Sequence, residues 1–394
     1  MVPCRLINPM QELVYLNNAA SSWPKPREVL DLVRMSFAKP YVSHGRGMVK
    51  GALDFETLTR ESLAGFFNAD DPRNFVFTPN ATLALNTLIQ GYVSHSRRKI
   101  HVLSSTLEHN SVLRPLRTLE REGKIRLTLV PFDDRGYVTV DSVRDSIHPD
   151  TRLMVMTHAS NVLGTVQDIK AIGEFLKGRG VYYIVDAAQS SGYVNINLRD
   201  LSSVDALAYT GHKALFALPG IGGFYVRDPS VIDPLIQGGT GSSSQNQNQP
   251  DVMPLKFESG TPNHPGIVSL FGGLKFIKRN GLARMERKTR AMAAHIIRGL
   301  SSCGNVTLYN RKPDLPIIPF NIEGLRCDDV SYILLNEYGI MTRSGLHCAP
   351  LVHERIDGGR GCERLSLSYM NNMAQCRRVV SAVKKISSSV AKSK

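Results

Sequence analysis

The stretch Tyr182-Tyr183-Ile184-Val185-Asp186-Ala187-Ala188-Gln189, followed further along by Ala206-Leu207-Ala208-Tyr209-Thr210-Gly211-His212-Lys213, decides how this chain reads. Ile184-Val185 closes one short apolar run and Ala206 to Tyr209 forms the next; runs of this kind are buried strands. Both end on polar residues. In an open α/β sheet the carboxyl ends of the strands converge on the binding crevice. An acid (Asp186), an amide (Gln189) and an amine (Lys213) are therefore expected to meet there. That set suits pyridoxal phosphate. The amine forms a Schiff base with the aldehyde, the acid pairs with the pyridinium nitrogen, and the amide hydrogen-bonds the phenolate oxygen. A solitary lysine after a strand is usually a surface residue; the acid and amide upstream of Lys213 argue against that here.

Outward from these two strands, apolar runs and helical patterns alternate from about residue 54 to 235. Strands are expected at 74–77, 100–103, 125–130, 153–156, 181–185, 206–209 and 223–226, and helices at 81–93, 112–122 and 169–177. The alternation predicts an α/β fold, a mostly parallel sheet with helices on both faces. Gly238 to Pro250, with Gln245-Asn246-Gln247-Asn248-Gln249, has no apolar period and reads as a loop, either at the surface or over the active site. Helical patterns at 267–278 and 282–300 follow. The remainder mixes strands (306–309, 317–322, 365–369) with helices (328–338, 373–390), a smaller α+β domain. The expected division is a large domain over 15–265 and a small one over 266–394, with the N-terminal segment 1–30 joining the small domain.

With 394 residues, 42% hydrophobic and 21% charged, the composition is that of a globular protein with a sizeable core. No apolar run approaches the roughly 20 residues that span a bilayer, and no secretory signal is evident, so a cytoplasmic protein without membrane association is expected. Six cysteines without a Cys-x-x-Cys pair suggest neither a disulfide framework nor a zinc site. The formal charge of +14 is spread along the chain, densest in the tail from Lys384. It reads as a solvated basic surface, with a docking surface for an acidic partner as the alternative; nucleic-acid binding would rest on charge alone.

Other segments carry chemistry. Asn80-Ala81-Thr82 opens a helix, and the N–H groups of a helix start, with the Thr82 hydroxyl, suit a phosphate; Asn80 also reads as an ordinary N-cap. In Glu108-His109-Asn110, His109 could lie on the pyridine face or be structural. Asn161 follows a strand and is placed for the cofactor phenolate or a substrate carboxylate, unless it only forms a turn. In Arg343-Ser344-Gly345-Leu346-His347-Cys348-Ala349-Pro350, a loop cysteine stands next to a histidine that can assist thiolate formation. Arg364, opening a strand, can hold a carboxylate in a two-pronged fork. Cys303, Cys327 and Cys376 lie in or beside helical patterns, Cys4 near the terminus, and Cys362 after a Gly-rich turn, where it is the competitor of Cys348.

From Tyr15-Leu16-Asn17-Asn18-Ala19-Ala20 to about Asn371 these motifs, in this order, resemble the class V aminotransferase-like enzymes and, among them, the cysteine desulfurases with a short catalytic loop. The resemblance implies a fold type I pyridoxal phosphate enzyme. It makes Lys213 the cofactor lysine, Asp186 and Gln189 its ring partners, and His109 the stacking residue. Ala81, Thr82, Thr210 and His212 become phosphate-side contacts. Phe257-Glu258-Ser259-Gly260-Thr261-Pro262-Asn263 resembles the segment that reaches the phosphate of the other subunit through Thr261, which implies a homodimer. Cys348 becomes the persulfide-forming residue and Arg364 the carboxylate clamp, with Asn161 and Arg343 on the substrate side. Departures from the pattern are Asn17 where the family has Asp, Asn80-Ala81-Thr82 in place of Gly-Thr-Thr, and the polar 245–249 run.

The implied reaction converts L-cysteine to L-alanine and leaves sulfur on Cys348, to be passed to an acceptor protein. The alternatives are a selenocysteine lyase or another lyase of the same fold, acting on L-selenocysteine, and a non-catalytic sulfur-carrier or partner-binding homologue.

Overall fold

A computed structural model describes residues 13–38, 53–241 and 245–392. Cys4, Ser242 to Ser244 and the last two residues of the basic tail lie outside them. The elements run β1 (Val14–Tyr15), α1 (Arg27–Ser36), α2 (Phe55–Phe67), β2 (Phe75–Thr78), α3 (Ala81–Ser96), β3 (Ile100–Ser105), α4 (Asn110–Arg121) and β4 (Ile125–Val130). Then come α5 (Val140–Ser146), β5 (Thr151–Thr157), α6 (Ile169–Lys177), β6 (Tyr182–Asp186), β7 (Ala206–Thr210), β8 (Gly222–Val226), α7 (His264–Asn280) and α8 (Leu282–Ser301). The chain continues through β9 (Val306–Leu308), β10 (Ile317–Ile322), α9 (Cys327–Tyr338), β11 (Ile340–Met341), α10 (Pro350–Asp357), β12 (Glu363–Ser366) and α11 (Met373–Lys392). No helix among the described residues is long and apolar enough to cross a membrane.

The chain forms two compact units. The larger takes Lys25–Ala159 and Val166–Leu282. The smaller takes the described residues up to Pro24, Ser160–Thr165 and those from Ala283 on. In the larger, seven strands make one sheet in the order β2-β8-β7-β6-β5-β3-β4. β8 runs antiparallel to β2 and β7, and the other pairings are parallel. The strands other than the edge strand β4 are buried nearly throughout, as expected of a parallel sheet covered on both faces. One core cluster joins Val76, Leu85 and Leu88 to Val102, Leu153, Ile184 and Phe224. α7 packs against α1 and α2, so it belongs to the larger unit, and the 265/266 division falls at its first turn.

The smaller unit has a three-stranded antiparallel sheet, β12-β10-β9, and a parallel two-stranded pairing of β1 with β11. Its own core gathers Leu16, Ile296, Ile318, Phe320, Val330, Leu365 and Val379. The helical pattern is clear in α8 and α11, whose i, i+3, i+4 apolar positions face that core. The short helix α10, between Pro350 at its first turn and Gly358 in the left-handed C-cap, did not stand out from the loop around it in the sequence.

Register decides what meets at the sheet's edge. β6 pairs in parallel with β7, Asp186 opposite Ala208, and the two strands deliver Asp186 and Thr210 to the same edge. The turn after β6 is then pressed onto the residue that follows Lys213. Gly192 has φ +95°, and a Cβ there would meet the Ala214 carbonyl oxygen at 2.4 Å. Only glycine fits both constraints. Gly192→Ala is expected to lower stability by about 1–3 kcal/mol, read as a fall in the urea midpoint at unchanged slope; a midpoint equal to wild type would mean that the turn gives way without strain.

Candidate functional site

In the larger unit the three residues singled out first do come together. Lys213 Nζ donates to Gln189 Oε1 at 3.2 Å. Asp186 is buried, and its Oδ1 accepts the N–H of Ala188 at 2.8 Å. Burial pushes its pKa up; the Ala188 N–H and the Lys213 charge pull the other way. A buried carboxylate in that position gains from a cationic N–H partner.

The surrounding groups are set by local structure. Asn80 caps α3, its side chain accepting from Leu83 N at 2.9 Å. A helix offers no internal carbonyl to its first N–H groups, which here are those of Ala81 and Thr82. Gly222 lies against this turn: an added Cβ would meet the Tyr209 carbonyl oxygen at 2.8 Å and Asn80 Cα at 3.0 Å. The α3 start therefore sits beside the end of β7. Thr210 Oγ1 and Gln189 Nε2 are buried with no hydrogen-bond partner in the protein. Unpaired buried polar atoms are rare and costly, and a ligand with acceptor oxygens beside both would satisfy them. The residues present thus fit pyridoxal phosphate: an amine, a buried acid, an amide, and a hydroxyl and helix start for the phosphate.

His109 is the N-cap of α4. Its Nδ1 accepts from Ser111 N at 3.1 Å, which fixes the ring and puts its proton on Nε2. The His212 pKa is lowered to about 4, first by burial and then by the charges of Lys213 and Lys25. Two groups here have no part in the sequence reading. Lys25 donates to the His212 carbonyl at 3.0 Å, and burial lowers its pKa to about 8. Glu108 is fully buried, holds Ser105 and the N–H of Thr157, and is pushed up to about 8 by burial. The signal for Glu108 was its place beside His109; Lys25 in Trp23-Pro24-Lys25-Pro26 carries none by itself.

Thr261 stands exposed at a cavity of about 740 Å³ on the same unit, lined by neither Lys213 nor Gln189. Its segment is tied down by Glu258, which accepts from both terminal guanidinium nitrogens of Arg60 at 2.9 and 2.6 Å and from the N–H of Phe77. Gln249, from the polar run, donates to the Leu255 carbonyl at 2.8 Å and accepts from Gly238 N at 3.1 Å, so it anchors that loop to the same segment.

The smaller unit brings together the other set. Arg343 and Arg364 face each other in an antiparallel bridge, with Arg364 N donating to the Arg343 carbonyl at 2.8 Å. The Arg364 side chain is fully buried; Nη1 donates to the Asn161 carbonyl at 2.8 Å and Nη2 to Asn17 Oδ1 at 3.4 Å, while Nε has no partner. Burial first, then the Arg343 charge, lowers its pKa to about 10. A buried guanidinium with an unused N–H edge is what a carboxylate needs. Asn17 takes part here through its amide oxygen.

Cys348 is partly exposed, with the Arg343 guanidinium 3.7 Å from its sulfur. The neighbouring His347 is not the group at the sulfur, contrary to the sequence reading. Its ring turns back, Nε2 to the Arg343 carbonyl at 3.1 Å and Nδ1 to His353 at 3.3 Å, and burial lowers its pKa to about 2. The reason is the backbone: His347 and Cys348 have φ of 51° and 58°, two left-handed residues in a row. That conformation costs roughly 1–2 kcal/mol per non-glycine residue. Asn161 Nδ2 holds the His347 carbonyl at 2.8 Å, which commits that amide to the cysteine loop. Cys362, the competitor, is fully buried with its pKa raised well above the ordinary thiol value by burial. Cys327 and Cys376 are also buried, and Cys303 is partly exposed at the end of α8.

A family model for the aminotransferase class-V proteins matches residues 14–379. A protein of Methanothermobacter thermautotrophicus described as a probable cysteine desulfurase is 32% identical over 372 residues, covering 92% of each chain. A probable cysteine desulfurase of Pyrococcus abyssi is 29% identical and covers 93% of this chain and 92% of its own. Among solved structures, the apo form of a cysteine desulfurase from Thermococcus onnurineus NA1 superposes with a TM-score of 0.87 at 28% identity, covering 96% of this chain and 95% of that one.

Proposed function

The chain belongs to the aminotransferase class-V family, and on that premise we propose that it is a pyridoxal-phosphate-dependent cysteine desulfurase that converts L-cysteine to L-alanine and takes the sulfur on Cys348. The observation that carries the choice of reaction lies in the smaller unit. A buried arginine fork, Arg364, and a partly exposed thiol, Cys348, are joined through one backbone bridge at Arg343. An amino acid with a sulfur side chain offers a carboxylate to the first and a sulfur to the second.

The larger unit is read as the cofactor domain. Lys213 would hold the cofactor, with Asp186 for its ring nitrogen, Gln189 for the phenolate oxygen and His109 for the ring face. Ala81, Thr82, Thr210 and His212 serve its phosphate. When bound, pyridoxal phosphate supplies an electron sink for charge developing at the substrate Cα. Asp186 would keep a proton on the ring nitrogen; the Ala188 N–H and the Lys213 charge favour its carboxylate against the opposing effect of burial. The Lys213 amine, held by Gln189, moves the Cα proton. Arg364 fixes the carboxylate and Arg343 stays at the sulfur nucleophile. Cys348 attacks the substrate sulfur: the S–S bond forms as the C–S bond breaks, the electron pair stays with the carbon skeleton, and that skeleton takes a proton and leaves as alanine. The persulfide then passes to an acceptor protein. The cytoplasm, where thiols stay reduced, suits this chemistry.

We read the working form as a homodimer in which each Thr261 segment serves the partner's phosphate. Leu235, Ile236 and Val252, at the same cavity as Thr261, are 39%, 47% and 61% exposed. Such a patch is what a partner covers.

Three outcomes are expected. Cysteine treatment should add one sulfur to Cys348, seen by peptide mass spectrometry, with one alanine per turnover; Cys348→Ser should keep cofactor binding and lose alanine production. Sulfur on Cys362 with Cys348 unmodified would overturn the assignment, as would selenide release from selenocysteine without any alanine from cysteine. Asp186→Asn should still take up cofactor, read from its visible absorbance, and lose on the order of 100-fold in turnover. Sedimentation at assay concentration should give a dimer; a fully active monomer rules out the shared site.

A further inference from the structure

Behind the cysteine loop lies a buried chain of polar groups that the proposed reaction does not use. Asp357 Oδ2 is 2.6 Å from His353 Nδ1, His353 Nε2 is 3.3 Å from His347 Nδ1, and His347 Nε2 is 3.1 Å from the Arg343 carbonyl. The three residues are 4%, 0% and 2% exposed in that order. The two rings lie 29° from parallel with centroids 5.4 Å apart. His353 and Asp357 stand one turn apart on α10, so a short helix presents both on one face.

Donor accounting gives the chain a direction. A carbonyl only accepts, so His347 Nε2 carries the hydrogen toward Arg343. The His347 Nδ1 of a neutral ring is then an acceptor, and His353 Nε2 must donate to it. That leaves His353 Nδ1 facing a carboxylate oxygen across a short contact that needs its own proton, held between them as a charge-assisted bond. The second Asp357 oxygen accepts the N–H of Gly361 at 3.2 Å, and the Arg360 Nε donates to the Asp357 carbonyl at 2.8 Å. Every contact is satisfied in one sense only: Asp357 orients His353, His353 orients His347, and His347 closes the turn onto Arg343.

The turn closed in this way contains the two left-handed residues, His347 and Cys348, and its first residue supplies the guanidinium at the sulfur. We propose that His353 and Asp357 are positioning residues for Cys348: their directional hydrogen-bond chain locks the His347 ring, holds the strained 347–348 backbone, and so keeps the sulfur at the Arg343 guanidinium. This rests on the reading of Cys348 as the sulfur acceptor. A metal ion is the competing use of the same groups, since His347, His353 and Cys362 bring ligand atoms within 4.8 Å of one another. The charges of Arg364 and Arg343 both act on His347, however, and oppose a divalent cation there. The inner ring nitrogens are also already joined to each other.

The test uses the holoenzyme and the variants His353→Leu, His353→Gln and Asp357→Asn, with melting temperature and cofactor absorbance as checks of the fold. A Gln amide can still donate to His347 Nδ1; Leu cannot; Asn removes the charge that holds the extra proton. Single-turnover persulfide formation should fall roughly 10- to 100-fold in His353→Leu and Asp357→Asn, with KM for cysteine little changed, because a shift of about 1 Å at a reacting atom has effects of that size. His353→Gln should recover most of the rate. Alkylation of Cys348 by iodoacetamide, followed by mass spectrometry, should change several-fold in the same two variants and not in His353→Gln. If wild type makes no alanine from cysteine, the desulfurase reading fails, and the alkylation comparison still decides the positioning role. Wild-type alkylation and persulfide rates in folded Leu or Asn variants would overturn it. So would equal losses in Gln and Leu, or one zinc per chain in wild type that His353→Leu lacks. Should His353→Leu not fold, Asp357→Asn and His353→Gln carry the same comparison.

Discussion

The parallel pairing of β6 with β7 is the constraint on which the rest of the larger unit depends. It fixes which residues leave the sheet at the same edge, and it is specified by burial: a one-residue slip would turn Val185, Leu207 and their neighbours to the wrong face. With that register set, Asp186, Gln189 and Lys213 cannot avoid one another. The turn through Gly192 and the start of β8 at Gly222 tighten the arrangement by backbone contact alone, without any side chain to adjust.

The smaller unit solves a different problem. It holds a partly exposed thiol, Cys348, in one place. Packing cannot do this for an exposed side chain. Here the backbone does it instead, through two consecutive left-handed residues whose conformation is unfavourable on its own and persists because polar contacts surround it. Asn161 holds the His347 carbonyl, the bridge to Arg364 holds Arg343, and the His353–Asp357 chain holds the ring. Arg364 is itself buried, with its Nε edge unpaired within the protein.

Two buried acids stand in the larger unit. Asp186 and Glu108 both have pKa values raised by burial, and Glu108 also feels the Asp186 charge. Glu108, pushed up to about 8 by burial, holds the Ser105 hydroxyl and the Thr157 N–H on one carboxyl oxygen.

The sequence by itself determined the strands and most helices, because apolar period and length are local properties. β4, α6 and β10 fall at the expected limits, and β6 and β7 within a residue of them. It also determined the residue types at the strand ends, hence the cofactor chemistry. The tertiary structure alone decided what touches what across long separations: Asn161 with His347, Arg364 with Asn17, Lys25 with the His212 carbonyl. The role expected of His347 at the sulfur failed for that reason. Adjacency in sequence says that two side chains are near, but a left-handed backbone sent the ring away from the thiol and toward a helix six residues on. Backbone conformation in loops is set by such distant contacts rather than by local period, so no reading of the loop alone could have found it.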